Sequence, residues 1–259
     1  MPYDAVAVET DGHVGTITLN RPDRMNTFST DLAQDLDDAL WDLDADDGIR
    51  AIVVEGTGRA FSAGIDLTEY EDQDSREEYL EWVGRMEEPF LTITEMATPV
   101  IAAAHGHAAA NGLGLVAACD LAVLAEGTML GATAPKVGLF CMGPAVPLMR
   151  SVTEKRTLEL LLTGDLVDAE TALDWGLVNR VVPEADLHDE AVALAESIAE
   201  KSPVAVQMGK QAYYAMADME YEAALEYSNE QFASLCVTGD ASEGVSAFLG
   251  DREPDWPGE

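Results

Sequence analysis

Residues 56–67 read Gly56-Thr57-Gly58-Arg59-Ala60-Phe61-Ser62-Ala63-Gly64-Ile65-Asp66-Leu67. The segment follows an apolar run at 51–54, which predicts a short buried strand, and precedes a short predicted helix. Its small residues let a ligand approach the backbone closely, and free N–H groups at the start of a helix attract negative charge. Taken alone, the segment is equally compatible with an ordinary tight strand-to-helix turn.

A second segment of the same kind, residues 104–114, reads Ala104-His105-Gly106-His107-Ala108-Ala109-Ala110-Asn111-Gly112-Leu113-Gly114. It joins a predicted buried strand at 99–104 to a predicted apolar helix at 111–118. Two such turns could direct two N–H donors at one oxygen, which is the arrangement of an oxyanion hole. Neither segment has the GxGxxG or GxxxxGK[ST] spacing of a phosphate-binding loop.

The rest of the chain predicts one α/β core followed by helices. Residues 4–9 and 13–19 alternate apolar and polar around Asp11-Gly12, which is typical of a β-hairpin. Ser29 is a predicted N-cap for a helix that ends near Asp44. Further helices are predicted at 76–96, 154–163, 168–175, 186–200, 203–216 and 220–236, and further strands at 121–125 and near 178–182.

The first two thirds of the pattern repeat a strand–strand–helix rhythm, which indicates an α/β fold. No Ser/Gly/Pro-rich linker divides the chain. We therefore predict a core at 1–185 and a C-terminal helical region at 186–259. Composition alone leaves open whether those helices cap their own core or assemble subunits.

The charge balance is strongly acidic, with 49 acidic residues against 14 basic ones and a net charge of −35. The acids are spread along the chain and do not form a tail, which favours a general surface adaptation over a site for a basic partner. Such a surface repels itself in dilute buffer and is screened by salt. We therefore predict a protein of a salt-rich, halophile-like cytoplasm, and the charge argues against nucleic-acid binding.

The N-terminus and the cysteines fit the same compartment. Met1-Pro2-Tyr3-Asp4 lacks the basic and apolar regions of a signal peptide, and the longest apolar runs are too short to span a membrane. These features predict a cytoplasmic protein without membrane association. Cys119, Cys141 and Cys236 lack metal-ligand spacing, so neither a disulfide framework nor a metal site is expected.

Several motifs follow one another in order along nearly the whole chain. They are Leu19-Asn20-Arg21-Pro22 followed by Asn26, then Phe61–Leu67, Thr98–Ala102, Ala118–Ala122, Leu162–Gly164, Ala169–Ala172 and Trp175–Val182. Phe61–Leu67 resembles the motif F-[SC]-A-G-x-D-[LI]. On these motifs the chain is identified as a member of the enoyl-CoA hydratase/isomerase (crotonase) family.

The resemblance implies a spiral of strand–strand–helix units, followed by helices that form trimers, which commonly pair into hexamers. It implies an acyl-CoA substrate, with coenzyme A as part of that substrate and no separate cofactor. The two backbone donors of the oxyanion hole fall on Ile65 and Asn111. The CoA moiety is implied to run along Arg24, Met25, Ala63, Ile65 and Asp66. Arg24 is then either a phosphate partner or a solvated surface arginine.

The same alignment shows where the chain departs from the family's hydratases, which use two glutamates to activate water and to deliver a proton to the α-carbon. Their positions fall here on Gly114 and Ala134, so both carboxylates are missing. The two-glutamate mechanism is therefore not expected. His107 and Cys141 are weak acid/base candidates, since a lone histidine or a buried cysteine is more often structural.

Two classes of function remain open. One is an acyl-CoA enzyme, a lyase of hydratase type or a relative, with a non-standard acid/base group or water alone; without a base, decarboxylation would still generate the enolate. The other is a catalytically degenerate acyl-CoA binding protein. A titratable group within about 4 Å of the substrate's α- or β-carbon would separate them. Glu87, Glu88 and Glu95 lie on the predicted helix 76–96, and the sequence singles out none of them.

Overall fold

The computed structural model describes residues 3–259, and its strands form two sheets. The strands are β1 Val6–Asp11, β2 Val14–Leu19, β3 Ala51–Gly56, β4 Val100–Ala104, β5 His107–Ala109, β6 Leu121–Ala125, β7 Met129–Gly131, β8 Leu166–Asp168 and β9 Arg180–Val182. The larger sheet has the order β1-β2-β3-β4-β6-β9, and the smaller has the order β5-β7-β8. Met1-Pro2, on which the inference about a signal peptide partly rests, lies outside the described residues.

The helices alternate with these strands and then follow them without interruption. They are α1 Thr30–Asp44, α2 Arg76–Glu95, α3 Asn111–Ala118, α4 Met142–Ser151, α5 Glu154–Thr163, α6 Ala169–Asp174, α7 Leu187–Ala199, α8 Pro203–Met216, α9 Tyr221–Leu235 and α10 Gly239–Leu249. No helix within residues 3–259 is long and apolar enough to cross a membrane.

The units β1-β2-α1, β4-β5-α3 and β6-β7-α4 carry the predicted strand–strand–helix rhythm. The first two strands form an antiparallel hairpin, whereas β2, β3, β4, β6 and β9 pair in parallel. In the later units the two strands separate, one into each sheet. This sorting stacks the units and places the end of β4 and the start of α3 beside the small sheet.

The predicted cap of α1 is confirmed. The Ser29 hydroxyl accepts a hydrogen bond from the Leu32 N–H at 3.2 Å, as an N-cap residue does. Leu32, Leu36, Leu40 and Leu43 are buried on the face toward the core. Their spacing of three or four residues puts them on one face of the helix.

The larger sheet is covered on both faces. Ile52 and Val54 belong to the apolar cluster that contains α1, α2 and α3, whereas Val53 between them faces a second cluster. Leu187, Ala191 and Ala195 of α7 complete that second cluster. The predicted boundary at residue 185 places α7 in the helical region, but this helix covers the sheet, and α8 to α10 lie beyond it.

Asp120, at the end of α3, ties α8 to the core. Its carboxylate lies 2.8 Å from the Lys210 ammonium and accepts hydrogen bonds from the Tyr214 hydroxyl at 2.8 Å and the Val100 N–H at 2.7 Å. The Lys210 side chain is only 6% exposed, so this ion pair is largely removed from water. Asp120 therefore anchors the end of α3 to α8 and β4.

Candidate active site

The two predicted turns lie side by side and are joined by backbone hydrogen bonds. The Ser62 N–H donates to the His107 carbonyl at 3.1 Å, and the Ala109 N–H donates to the Ser62 carbonyl at 2.9 Å. Ser62 thereby forms a parallel bridge with Ala108 of β5. The turn at 56–67 therefore extends the small sheet and lies next to the start of α3.

Gly64 is one of the points where the two turns approach each other closely. Its φ is +99°, a conformation that favours glycine. A Cβ atom there would lie 3.1 Å from the Ala109 carbonyl oxygen and 3.6 Å from the Asn111 nitrogen. The backbone leading to Ile65 therefore runs directly beside the first N–H of α3.

The N–H groups of Ile65 and Asn111 are unpaired in the part of the chain that the structure describes. The Phe28 N–H donates to the Gly64 carbonyl at 2.7 Å and the Asp66 N–H donates to the Phe28 carbonyl at 2.8 Å, so the Ile65 N–H points to the opposite edge, where Ser62 pairs with β5. Asn111 opens α3, where N–H groups have no intrahelical acceptor. Within residues 3–259, neither N–H has a hydrogen-bond acceptor.

Ala110, directly before Asn111, has an unusual backbone conformation with φ +47° and ψ −113°. A residue with a Cβ atom adopts such angles at a cost of about 1–3 kcal/mol, and such strain is frequent at functional sites. Its N–H donates to the Gly131 carbonyl at 2.9 Å, which holds the turn against the small sheet. The buried Asn111 side chain donates to the Met86 carbonyl at 3.3 Å and joins α2 to the same turn.

The two positions without a carboxylate differ in their surroundings. A Cβ atom on Gly114 would lie 2.8 Å from Phe90 Cζ and 3.1 Å from Pro144 Cβ, so side chains already occupy that space. Ala134 opens a 3₁₀ turn, Ala134–Val137, and is half-buried. Its carbonyl accepts a hydrogen bond from the Leu139 N–H at 3.1 Å.

The two weak acid/base candidates, His107 and Cys141, have different surroundings. His107 is exposed at the start of β5, and its side chain does not line the large cavity described below. Cys141 is 4% exposed and directly precedes α4. Burial raises the pKa of its thiol, although a hydrogen bond with the Ala134 backbone acts in the opposite direction. The thiol is therefore protonated at neutral pH.

The residues predicted to contact CoA lie along one edge of the first turn. The Met25 carbonyl accepts a hydrogen bond from the Ala63 N–H at 3.0 Å. Arg24 is exposed, and its guanidinium has no partner within residues 3–259. The Asp66 carboxylate instead binds Thr68 and, at 3.2 Å, Arg21. Burial alone would raise the pKa of Asp66, but these hydrogen bonds outweigh it and lower the pKa. The side chain of Asp66 thus anchors its own loop.

A cavity of about 1260 Å³ lies between α2, α4 and α8. Neither Ile65 nor Asn111 lines it, but Glu87, Phe90 and Gly143 do, and Phe90 is the residue packed on Gly114. The cavity thus comes near the pair of turns from the side of α2. Among the described residues no group of three or more His, Cys, Asp or Glu side chains is arranged to hold a metal ion.

Comparison with known proteins gives one consistent family. The sequence model of enoyl-CoA hydratase/isomerase matches residues 9–259. The human mitochondrial enoyl-CoA hydratase domain-containing protein 3 is 34% identical over 259 residues, which cover 100% of this chain and 85% of that protein.

Solved structures agree over the whole chain. An enoyl-CoA hydratase of Mycobacterium smegmatis superposes with a TM-score of 0.95 at 39% identity, covering 98% of this chain and 99% of that one. An enoyl-CoA hydratase of Bacillus anthracis superposes with a TM-score of 0.94 at 30% identity, covering 99% of this chain and 100% of that one. These likenesses confirm the predicted spiral α/β fold with a helical C-terminal region.

Proposed function

Because the chain belongs to the enoyl-CoA hydratase/isomerase family, we propose that it binds an acyl-CoA thioester and stabilises the enolate of its acyl group between the N–H groups of Ile65 and Asn111. The observation that carries this proposal is the pairing of the two turns, which brings two N–H groups without an acceptor to the same edge. Each such donor contributes about 10²–10³ in rate when it is aimed at a developing oxyanion. The positive end of the α3 dipole acts in the same sense.

The CoA moiety would follow the edge formed by Arg24, Met25 and Ala63. Arg24 has a free guanidinium, which suits a phosphate group because it donates several hydrogen bonds in a planar fork. Asp66 would contribute its backbone and not its carboxylate, since that carboxylate is already bound by Arg21 and Thr68. A phosphate-bearing substrate also meets a protein of charge −35, so salt should assist its binding.

The proposed chemistry is enolate formation and not two-carboxylate hydration, because glycine and alanine occupy positions 114 and 134. An acyl-CoA lyase of unusual mechanism satisfies this condition. A decarboxylase satisfies it as well, since loss of CO₂ leaves the electron pair that becomes the enolate. The same two positions favour, as the competing function, a catalytically inactive acyl-CoA binding protein.

Titration calorimetry in molar salt, with competition by acetoacetyl-CoA, tests binding. We expect dissociation constants in the micromolar to millimolar range that enzyme substrates commonly show. Turnover of crotonyl-CoA and of malonyl-type thioesters then separates a lyase, a decarboxylase and an inactive binder. Absence of both heat and competition would remove the proposal.

We also propose that α8 to α10 assemble the chain into trimers or pairs of trimers. In support, α9 and α10 expose large apolar side chains, among them Tyr221, Phe232, Phe248 and Leu249 at 67–85% exposure. Light scattering at micromolar protein in molar salt should give three or six times the mass of the 27.7 kDa chain. A stable monomer or a dimer would contradict this assembly.

A further inference from the structure

Glu87 differs from the other acids of α2 in its surroundings. It is half-buried, and its carboxylate packs on Gly143 in the first turn of α4, where a Cβ atom would overlap it. Within residues 3–259 the carboxylate forms no hydrogen bond and no ion pair. Burial raises the pKa of this carboxyl. A half-buried carboxylate without a partner loses part of its hydration, and such a group in a cavity wall is a candidate functional residue.

The position of Glu87 relates it to the candidate oxyanion hole. The preceding residue, Met86, accepts the hydrogen bond from the Asn111 side chain at 3.3 Å. Phe90, one helical turn further along α2, packs against Gly114. Pro144, the residue after Gly143, packs against Gly114 as well. Phe90 and Pro144 fill the space beside Gly114, while Glu87 and Gly143 line the large cavity.

We propose that Glu87 is the acid/base residue of this site and that, from α2, it takes the place of the carboxylate that is missing at position 114 of α3. The inference rests on the proposed acyl-CoA function. Glu88 and Glu95 on the same helix are exposed, and both act electrostatically on Asp37 of α1. Glu87 is thus the acid of this helix whose carboxylate packs against α4.

The chemical step that follows is a proton transfer. The Glu87 carboxylate takes a proton from the α-carbon of the bound thioester, so that an O–H bond forms as the C–H bond breaks. The released electron pair forms the enolate double bond, and the negative charge passes to the thioester oxygen between the N–H groups of Ile65 and Asn111. Return of the proton to the α-carbon restores both partners, and no further reactant is needed.

Exchange of the α-protons of a saturated substrate isolates this step from any particular overall reaction. The protein is incubated with butyryl-CoA in D₂O and molar salt, and deuterium at the α-carbon is followed by mass spectrometry. We expect the unmodified protein to incorporate deuterium and Glu87→Gln to slow incorporation by about 10²–10⁴-fold. Glu95→Gln, an exposed acid on the same helix and outside the cavity lining, should exchange at the unmodified rate.

Binding measured on the same samples separates the two proposals. If the unmodified protein fails to compete for acetoacetyl-CoA, the proposed function fails. If it binds but does not exchange, or if Glu87→Gln exchanges at the unmodified rate, the role of Glu87 is wrong while the binding function stands. If Glu87→Gln is less stable and binds poorly, Glu87→Asp decides: exchange above that of the glutamine variant supports the carboxylate role, and exchange equal to it overturns that role.

Discussion

A Cβ atom on Gly64 would lie 2.8 Å from the Cβ atom of Ala110. The two residues belong to different turns, one after β3 and the other before α3, and each directly precedes a candidate oxyanion donor. The approach is possible because Gly64 has no side chain and a φ of +99°. This glycine–alanine contact therefore helps to set the spacing between the two donors.

Replacing Gly64 by alanine should separate the two turns. The added Cβ atom meets Ala110 and the Ala109 carbonyl, and the backbone angle disfavours a side chain, so we expect a loss of about 1–3 kcal/mol in the free energy of unfolding. Affinity for acetoacetyl-CoA and α-proton exchange should both fall. Gly209→Ala is the matched control, because nothing lies within 4 Å of its Cβ position and alanine favours the helix interior. Unchanged affinity in Gly64→Ala would contradict the assigned role of this contact.

Replacing Ala110 by glycine should stabilise the protein. The positive φ of Ala110 penalises its Cβ atom, and glycine removes the penalty, so urea unfolding should show a gain of about 1 kcal/mol. Ala109→Gly is the comparison, because Ala109 is a buried strand residue without a positive φ and should lose stability. A loss of stability in Ala110→Gly as large as that in Ala109→Gly would show that the backbone there is not strained.

The sequence predicted the elements whose signals are local. The apolar α3 was placed at its observed bounds, and α1 began at the predicted Ser29 cap. Helix α4 was not predicted, because Gly143, Pro144 and Pro147 discourage helix in any local assessment. The strands β5, β7 and β8 have three residues each, too few for an alternating pattern.

The site residues likewise divide into those with a local sequence signal and those without one. The two turns carry motifs, so Ile65 and Asn111 could be named from sequence, and their role stays a prediction. Ala110 carries no such signal, since nothing about an alanine indicates a positive φ. Glu87 is one of six acids on α2. It differs from the others by its contact with Gly143, which only the fold brings beside it.

Thermal stability should rise with salt. A net charge of −35 makes the folded chain repel itself, and the screening length shrinks from about 10 Å at 0.1 M to about 3 Å at 1 M. Calorimetric melting temperatures should therefore increase between about 0.1 M and about 2 M KCl. Sorbitol at matched osmolality controls for solute exclusion, which does not depend on charge. Equal melting temperatures across the KCl series would refute the charge argument.

Exchange of α-protons should depend on pH through Glu87. Burial raises its pKa above the ordinary value of about 4.3, and only the ionised form can accept a proton, so the rate should fall as pH drops through that raised pKa. Helix α3 and the first turn of α4 present no ionisable side chain to it. The ionisable groups lining the same cavity are Glu81, Arg85, Glu88, Cys119, Asp120, Arg150, Tyr213 and Tyr214.

Stability gives an independent measure of the same group. A carboxyl whose pKa is raised by folding favours the folded state while protonated, and that contribution is lost as pH rises from the unfolded pKa through the folded one. The unmodified protein should therefore lose stability relative to Glu87→Gln across that interval. A stability difference between the two proteins that does not change with pH would contradict the raised pKa. If the exchange rate of the glutamine variant still falls at low pH, another group controls that rate.

Introducing glutamates at positions 114 and 134 should require a third substitution. At Gly114 a Cβ atom would lie 2.8 Å and 2.9 Å from two atoms of the Phe90 ring. Gly114→Glu with Ala134→Glu should therefore be destabilised and hydrate crotonyl-CoA weakly. Adding Phe90→Leu makes room for the new side chain, and hydration should then exceed that of the unmodified protein by at least the factor of about 10²–10⁴ that one acid/base group supplies.

The matched control for the triple variant is Phe90→Leu alone, which opens the space without adding a carboxylate. This control should not hydrate crotonyl-CoA faster than the unmodified protein. Absorbance of the conjugated thioester follows the reaction directly. If the unmodified protein already hydrates crotonyl-CoA at ordinary enzymatic rates, about 1–10³ s⁻¹, the missing glutamates at positions 114 and 134 do not limit the reaction. Another group would then deliver the proton, and Glu87→Gln, His107→Ala and Cys141→Ala would identify it. A large loss of rate in Glu87→Gln alone would assign hydration to the carboxylate that enters from α2.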